Sequence, residues 1–120
     1  MKRVAMTSDS NLGISVDHVG KDTLVLLRGR ISVDSSPDLR DQLLAIFSEE
    51  PLSRAVIVDL TGVSYIETSG IATLIEALRI ARHHQMGFSL QGLGGSVLRL
   101  FEVIGVLTMF DIGGLGEKVS

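Results

Sequence analysis

The stretch AVIVDLTGVSYIETSGIATLIEALRIA, residues 55–81, decides the fold. Its first six residues form a nearly continuous apolar run rich in β-branched side chains, which predicts a strand covered on both faces in a parallel arrangement. A turn at Thr61-Gly62 and a short segment over 63–66 follow. Apolar residues at helical spacing then predict a helix over 69–84. A strand followed by a returning helix indicates a β-α-β unit, and therefore a parallel sheet.

The flanking sequence extends this unit on both sides. Two strands joined around Gly20 predict an antiparallel hairpin, and Ser36-Pro37-Asp38 has the cap, proline and acidic residue that begin a helix. The predicted strands lie over 14–19, 23–31, 55–60, 88–90 and 109–112. The predicted helices lie over 37–48, 69–84 and from Ser96 to 104. The last helix is expected to present Val97, Leu100, Phe101 and Ile104 to the core. The pattern ββαβαβαβ predicts an α/β fold with a mixed, mainly parallel sheet of about five strands and three to four helices.

Composition limits the classes of protein to consider. The 120 residues suit one domain, 1–120, with flexible ends over 1–10 and 113–120. The apolar runs are far too short to span a bilayer, so direct membrane insertion is not expected. The absence of cysteine and of an apolar leader predicts a cytoplasmic location. A net charge of −3 and five aromatic residues argue against nucleic acid as a partner.

Catalytic patterns are weak. Ser69 lacks the G-x-S-x-G pattern of a nucleophile elbow, and a helix of about 1.5 Å per residue would hold His83 and His84 far from it. His18 lies near the hairpin. The sequence therefore predicts that the protein is not an enzyme.

Cofactor patterns are also weak. The loop Gly92-Leu93-Gly94-Gly95-Ser96 matches neither a dinucleotide nor a phosphate-loop spacing. The adjacent histidines 83 and 84 point about 100° apart on a helix, and the acidic residues 34, 38 and 41 are typical of a helix start. No cofactor and no metal are predicted.

The hydroxyl pair Thr68 and Ser69 lies where the long helix begins. One hydroxyl is expected to cap the helix, which leaves the other unexplained. A helix N-terminus tolerates a phosphate, and phosphorylation would add about −1.5 to −2 charges beside Glu67. The pair is therefore suited to a switch that changes a docking surface while leaving the fold intact.

Two segments carry a resemblance to a known family. VIVDLTGVSYIETSG, residues 56–70, and GSVLRLFEVIGV, residues 95–106, resemble the STAS domain of bacterial anti-sigma factor antagonists, and the similarity extends over 14–112. Asp59, Gly62 and the run Glu67-Thr68-Ser69-Gly70 occupy motif positions, with Glu67-Thr68 where the family usually has Asp-Ser.

The resemblance implies a partner-switching protein. Thr68 would be the phosphoacceptor, and Glu67, Thr68, Ser69, Gly70 and Leu98 would form the partner-binding surface. The partners would be an anti-sigma serine/threonine kinase, which binds the unphosphorylated protein, and a serine/threonine phosphatase, which restores binding. The alternatives are a subunit docking on the ATPase of an ABC-type lipid or solute transporter, a stressosome-like scaffold and, less supported, a guanine-nucleotide sensor.

Overall fold

The computed structural model describes residues 2–6 and 11–113 as one six-stranded sheet with three α-helices, the strands lying in chain order. The elements are β1 (Lys2–Met6), β2 (Leu12–Val19), β3 (Asp22–Ile31), α1 (Ser36–Phe47), β4 (Ala55–Ile66), α2 (Thr68–His83), β5 (Gly87–Gln91), α3 (Gly95–Ile104), a 3₁₀ turn (Leu107–Met109) and β6 (Asp111–Gly113).

The sheet is mixed, as predicted. β1, β2 and β3 pair antiparallel, and β3, β4, β5 and β6 pair parallel through the connecting helices. Gly20, with a φ of 63°, occupies the left-handed conformation in the tight turn between β2 and β3. The predicted α/β fold class, with its antiparallel start and parallel remainder, is confirmed.

The helices cover one face of the sheet. Along β4, Val56, Val58 and Leu60 are buried, whereas the alternating Ile57 is only half-buried. The buried residues of the strands and of all three helices form a single apolar cluster, and the molecule is 22 Å across its thinnest direction. The prediction that residues 55–60 are covered on both faces is therefore wrong. A short apolar run does not reveal on which face the neighbouring helices pack.

β4 is longer than predicted because Thr61-Gly62 is not a turn. The strand continues to Ile66, and its pairing with β3 shifts register twice, first between Leu26 and Arg28 and then between Gly29 and Arg30. Each shift places an extra β4 residue opposite β3, which is a β-bulge. A Cβ on Gly62 would lie 3.0 Å from the Leu27 carbonyl oxygen, so the bulge brings the two backbones close together.

Several boundaries also differ. β1 lies within residues 1–10, which were expected to be flexible. Met1, residues 7–10 and residues 114–120 fall outside the described residues, so their expected flexibility stays a prediction. Ser36 and Ser96 do not cap their helices, because the N-cap residue is Ser35 in α1 and Gly94 in α3. The Ser35 side chain makes no capping hydrogen bond, and a glycine has no side chain to make one. Ile104 is 39% exposed rather than a core residue of α3. Among the described residues, no helix combines the length and apolarity needed to cross a membrane.

Candidate functional site

The hydroxyl pair lies at the carboxyl end of β4, where the chain enters α2. The backbone N–H of Glu67 donates to the carbonyl of Ile31 over 2.8 Å, which ties this entry to the end of β3. The Glu67 carbonyl then accepts from the N–H of Gly70 over 2.9 Å and begins the helix. The first turn of α2 is thus held between two central strands and presents Thr68 at the surface.

The cap predicted for Thr68 or Ser69 is not formed. The N-cap residue is Glu67, whose backbone is extended and whose side chain makes no capping bond. Both hydroxyl residues therefore lie inside the helix, one position later than expected. The pairing of Glu67 with Ile31 explains the shift, since it makes Glu67 the last extended residue of the chain before α2.

The two hydroxyls have different surroundings. Thr68 is exposed, and no residue in the described part of the chain hydrogen-bonds to its hydroxyl. The Ser69 hydroxyl lies 3.0 Å from that of Ser36, the first residue of α1. Hydrogen bonds among Ser32, Ser35 and Ser36 order the loop that leads into α1. Sequence reasoning missed this contact because it joins residues 33 positions apart.

Gly70 lies beneath the hydroxyl pair. It is buried, and a Cβ at this position would lie 2.5 Å from Cγ2 of Ile31 and 2.9 Å from Cγ1 of Ile66. A glycine lets the first turn of α2 pack directly on the ends of β3 and β4. A partner docked on this surface would not reach Gly70 directly, so we attribute its place in the motif to packing.

Asp59 connects two neighbouring strands below the site. Its carboxylate accepts from the Thr61 N–H over 2.8 Å and from the Gln91 side-chain amide over 2.9 Å. Partial burial raises the pKa of Asp59, but the hydrogen bonds from Thr61 and Gln91 outweigh burial and leave the pKa below its ordinary value. A Cβ on Gly92 would clash with Thr61 and Asp59, so that glycine is required for this close packing. Asp59 therefore has a structural role in the motif.

The start of α3 lies beside the end of β4. The Ser96 hydroxyl donates to the Ser64 carbonyl over 3.4 Å. Leu98, predicted as a surface contact, is half-buried and packs against the core. Val103, which is 73% exposed, is the more accessible apolar residue of this helix.

Two further surface features near these elements had no sequence signal. Val33, in the loop between β3 and α1, is 63% exposed. The Arg30 guanidinium lies 4.2 Å from the centre of the Tyr65 ring, across the β3–β4 pair, in a cation–π contact. Val33 is thus an exposed apolar side chain that lies close to Ser35 and Ser36 in the chain.

The histidines lie away from the hydroxyl pair. His83 and His84 are at the opposite end of α2, and His18 Nδ1 lies 3.2 Å from the Thr23 hydroxyl at the start of β3. Within residues 2–6 and 11–113, no three metal-ligating side chains come together as a metal site. Within the described residues, none of these imidazoles therefore lies beside the hydroxyl pair.

Comparison with known proteins gives one family. The family model described as "Mlab, STAS domain" matches residues 14–112. The chain is 25% identical over 107 residues to the anti-sigma-B factor antagonist of Bacillus subtilis (strain 168), covering 89% of this chain and 95% of that protein.

Solved structures share the fold. An anti-sigma factor antagonist from Mycobacterium paratuberculosis superposes with a TM-score of 0.73 at 18% identity, covering 89% of both chains. The Bacillus cell fate determinant SpoIIAA in its phosphorylated form has a TM-score of 0.65 at 12% identity, covering 85% of this chain and 92% of that one.

Proposed function

The chain belongs to the STAS domain family, and from that membership we propose that it is an anti-sigma factor antagonist controlled by phosphorylation of Thr68. In this proposal the unphosphorylated protein binds an anti-sigma serine/threonine kinase in the cytoplasm and releases it once Thr68 carries a phosphate. A serine/threonine phosphatase returns it to the binding form. The protein itself is a binding partner and not an enzyme.

One observation carries the proposal. Thr68 is an exposed hydroxyl in the first turn of α2, and no described residue hydrogen-bonds to it. The first N–H groups of a helix have no partner within the helix, and the helix dipole is positive at this end. A phosphate on Thr68 is therefore compatible with the folded chain. The anti-sigma-B factor antagonist of Bacillus subtilis supports the proposed role, and the phosphorylated form of SpoIIAA, which shares the fold, supports control by phosphorylation.

Phosphorylation would act on the partner and not on the fold. It adds about −1.5 to −2 charges next to Glu67, on a surface that the partner must desolvate. Burying that charge without a matching cation is costly, so binding is expected to fall sharply. Glu67, Thr68 and Ser69 form the centre of the proposed docking surface, and the exposed Val33 extends it.

The test combines modification with binding. The protein is incubated with the anti-sigma kinase of its own genome and ATP, and mass spectrometry is expected to place phosphate on Thr68. Thr68→Ala should remain unmodified, whereas Thr108→Ala, which alters another exposed threonine, should behave as wild type. An active kinase that leaves the wild-type chain unmodified would contradict the proposal.

Thr68→Glu tests the release step. The variant is expected to keep wild-type circular dichroism and to lose the kinase in a pull-down, and Thr108→Glu is the matched control. A Thr68→Glu protein that still binds the kinase as wild type does would show that charge at this position is not the switch. Recovery of a transporter ATPase by both baits, in place of the kinase, would favour the transporter-associated alternative.

A further inference from the structure

Adjacent hydroxyls in the first turn of α2 offer a kinase two acceptors. Thr68 is exposed and Ser69 is half-buried, and among the described residues only the Ser69 hydroxyl has a partner, that of Ser36 at 3.0 Å. Ser36 is 6% exposed, so this partner lies beneath the surface. The difference between the two acceptors therefore depends on what the Ser36 contact does to Ser69.

The direction of this hydrogen bond follows from the number of protons available. The Ser36 hydroxyl donates to the carbonyl of Ser32 over 2.6 Å, and a carbonyl can only accept. A serine hydroxyl carries a single proton, so Ser36 has none left for Ser69. The Ser69 hydroxyl must therefore be the donor, and the chain runs from Ser69 to Ser36 to the Ser32 carbonyl.

This direction opposes phosphorylation of Ser69. Phosphoryl transfer forms a bond between the acceptor oxygen and the γ-phosphorus of ATP, breaks the bond from that phosphorus to the bridging β–γ oxygen, and releases ADP; the hydroxyl proton goes to a base of the kinase. The Ser69 proton is directed to Ser36, and its oxygen is held toward α1. The Thr68 hydroxyl has no such constraint from the described residues.

We propose that Ser36 is a positioning residue that selects Thr68 over Ser69 as the phosphoacceptor, and that Ser69 is a second, masked modification site. The inference rests on the proposed function, because it concerns which hydroxyl the kinase modifies. Removing the Ser36 hydroxyl leaves the Ser69 proton without its acceptor. The Ser69 side chain then gains the outward rotamers that the hydrogen bond excludes.

The test separates the two acceptors. Wild type, Thr68→Ala, Ser36→Ala and the double variant are incubated with the anti-sigma kinase of the same genome and ATP, and tandem mass spectrometry measures the phosphate on each residue. Thr68→Ala is expected to remain unmodified at Ser69, and the double variant to carry at least ten times more phosphate there. Ser48→Ala, which removes a hydroxyl bonded only to its own helix at the Leu44 carbonyl, is the matched control. Ser36→Thr, which keeps a hydroxyl, should restore modification of Thr68 alone.

A second readout needs no kinase. The αβ proton couplings of Ser69 in the folded protein should report one rotamer in wild type and several in Ser36→Ala. Averaged couplings in wild type would overturn the inference. A double variant without phosphate on Ser69, together with wild type modified at Thr68, would also overturn the inference. That result would leave the proposed function intact. Wild type left unmodified at both residues would instead contradict the proposed function and, with it, this inference.

Discussion

Replacing Gly70 by alanine tests the packing beneath the site. The new Cβ would lie 2.5 Å from Cγ2 of Ile31 and 2.9 Å from Cγ1 of Ile66, so the first turn of α2 must move away from β3 and β4. Overpacking of this kind costs about 1–3 kcal/mol. Alanine is the better helix former by up to about 1 kcal/mol, which offsets part of that cost. Because contacts of 2.5 and 2.9 Å place the overpacking cost toward the upper end of its range, the free energy of unfolding should fall by about 2 kcal/mol.

Urea denaturation followed by circular dichroism measures this change. Gly94→Ala is the matched control, since its φ is −166° and a Cβ there would meet nothing within 4 Å. Gly94 is the N-cap residue of α3, where glycine is preferred to alanine, so a loss below about 1 kcal/mol is expected. A Gly70→Ala protein as stable as wild type would refute the claim that close packing requires this glycine.

Three other substitutions follow from the same structure. Asp59→Asn removes one acceptor from a carboxylate that takes two hydrogen bonds, and should cost about 1–2 kcal/mol at pH 7. The pKa of Asp59 is lowered in the folded chain, so its ionised form stabilises the fold above its ordinary pKa of about 3.9, and this contribution is lost as pH falls through the folded pKa. Denaturation curves of wild type and Asp59→Asn should therefore converge in acid. A stability difference that stays constant with pH would contradict this. Leu98→Asp should lower the free energy of unfolding by about 2 kcal/mol because Leu98 packs against the core. Val103→Asp, on the exposed side of the same helix, should change it by less than about 0.5 kcal/mol, and equal losses in thermal denaturation would show that the two positions are not distinguished by packing.

From β2 onward, the order of helices and strands was accessible from the sequence because these elements have local signals, whereas β1 was missed in a stretch expected to be flexible. Apolar spacing and the residues that bound each segment predicted α1, α2 and the hairpin to within one or two residues at most ends. The number of faces of β4 that the helices cover could not be predicted, because a short apolar run looks the same whether helices pack on one face of the sheet or on both. The bulges around Thr61-Gly62 were missed for a related reason. A polar residue followed by a glycine suggests a turn, and only the pairing with β3 shows that the strand continues.

The candidate site was predicted in position but not in its internal contacts. Sequence alone located Thr68 and Ser69 at the start of α2. It treated both as possible caps because capping preference depends on residue type, whereas the cap position here is set by the pairing of Glu67 with Ile31. The Ser36 contact depends on α1 and α2 packing side by side, and no local pattern encodes it.

The uninterrupted course of β4 also decides how the protein is best attached to a surface. Its 12 residues rise by at most about 3.3 Å each, so the strand, shortened by its two bulges, separates its ends by somewhat less than about 40 Å. The connection before Ala55 and Thr68 therefore lie at opposite ends of this strand. A biotin or dye attached at Leu52, which is 40% exposed, would orient every immobilised molecule with the first turn of α2 facing the solution.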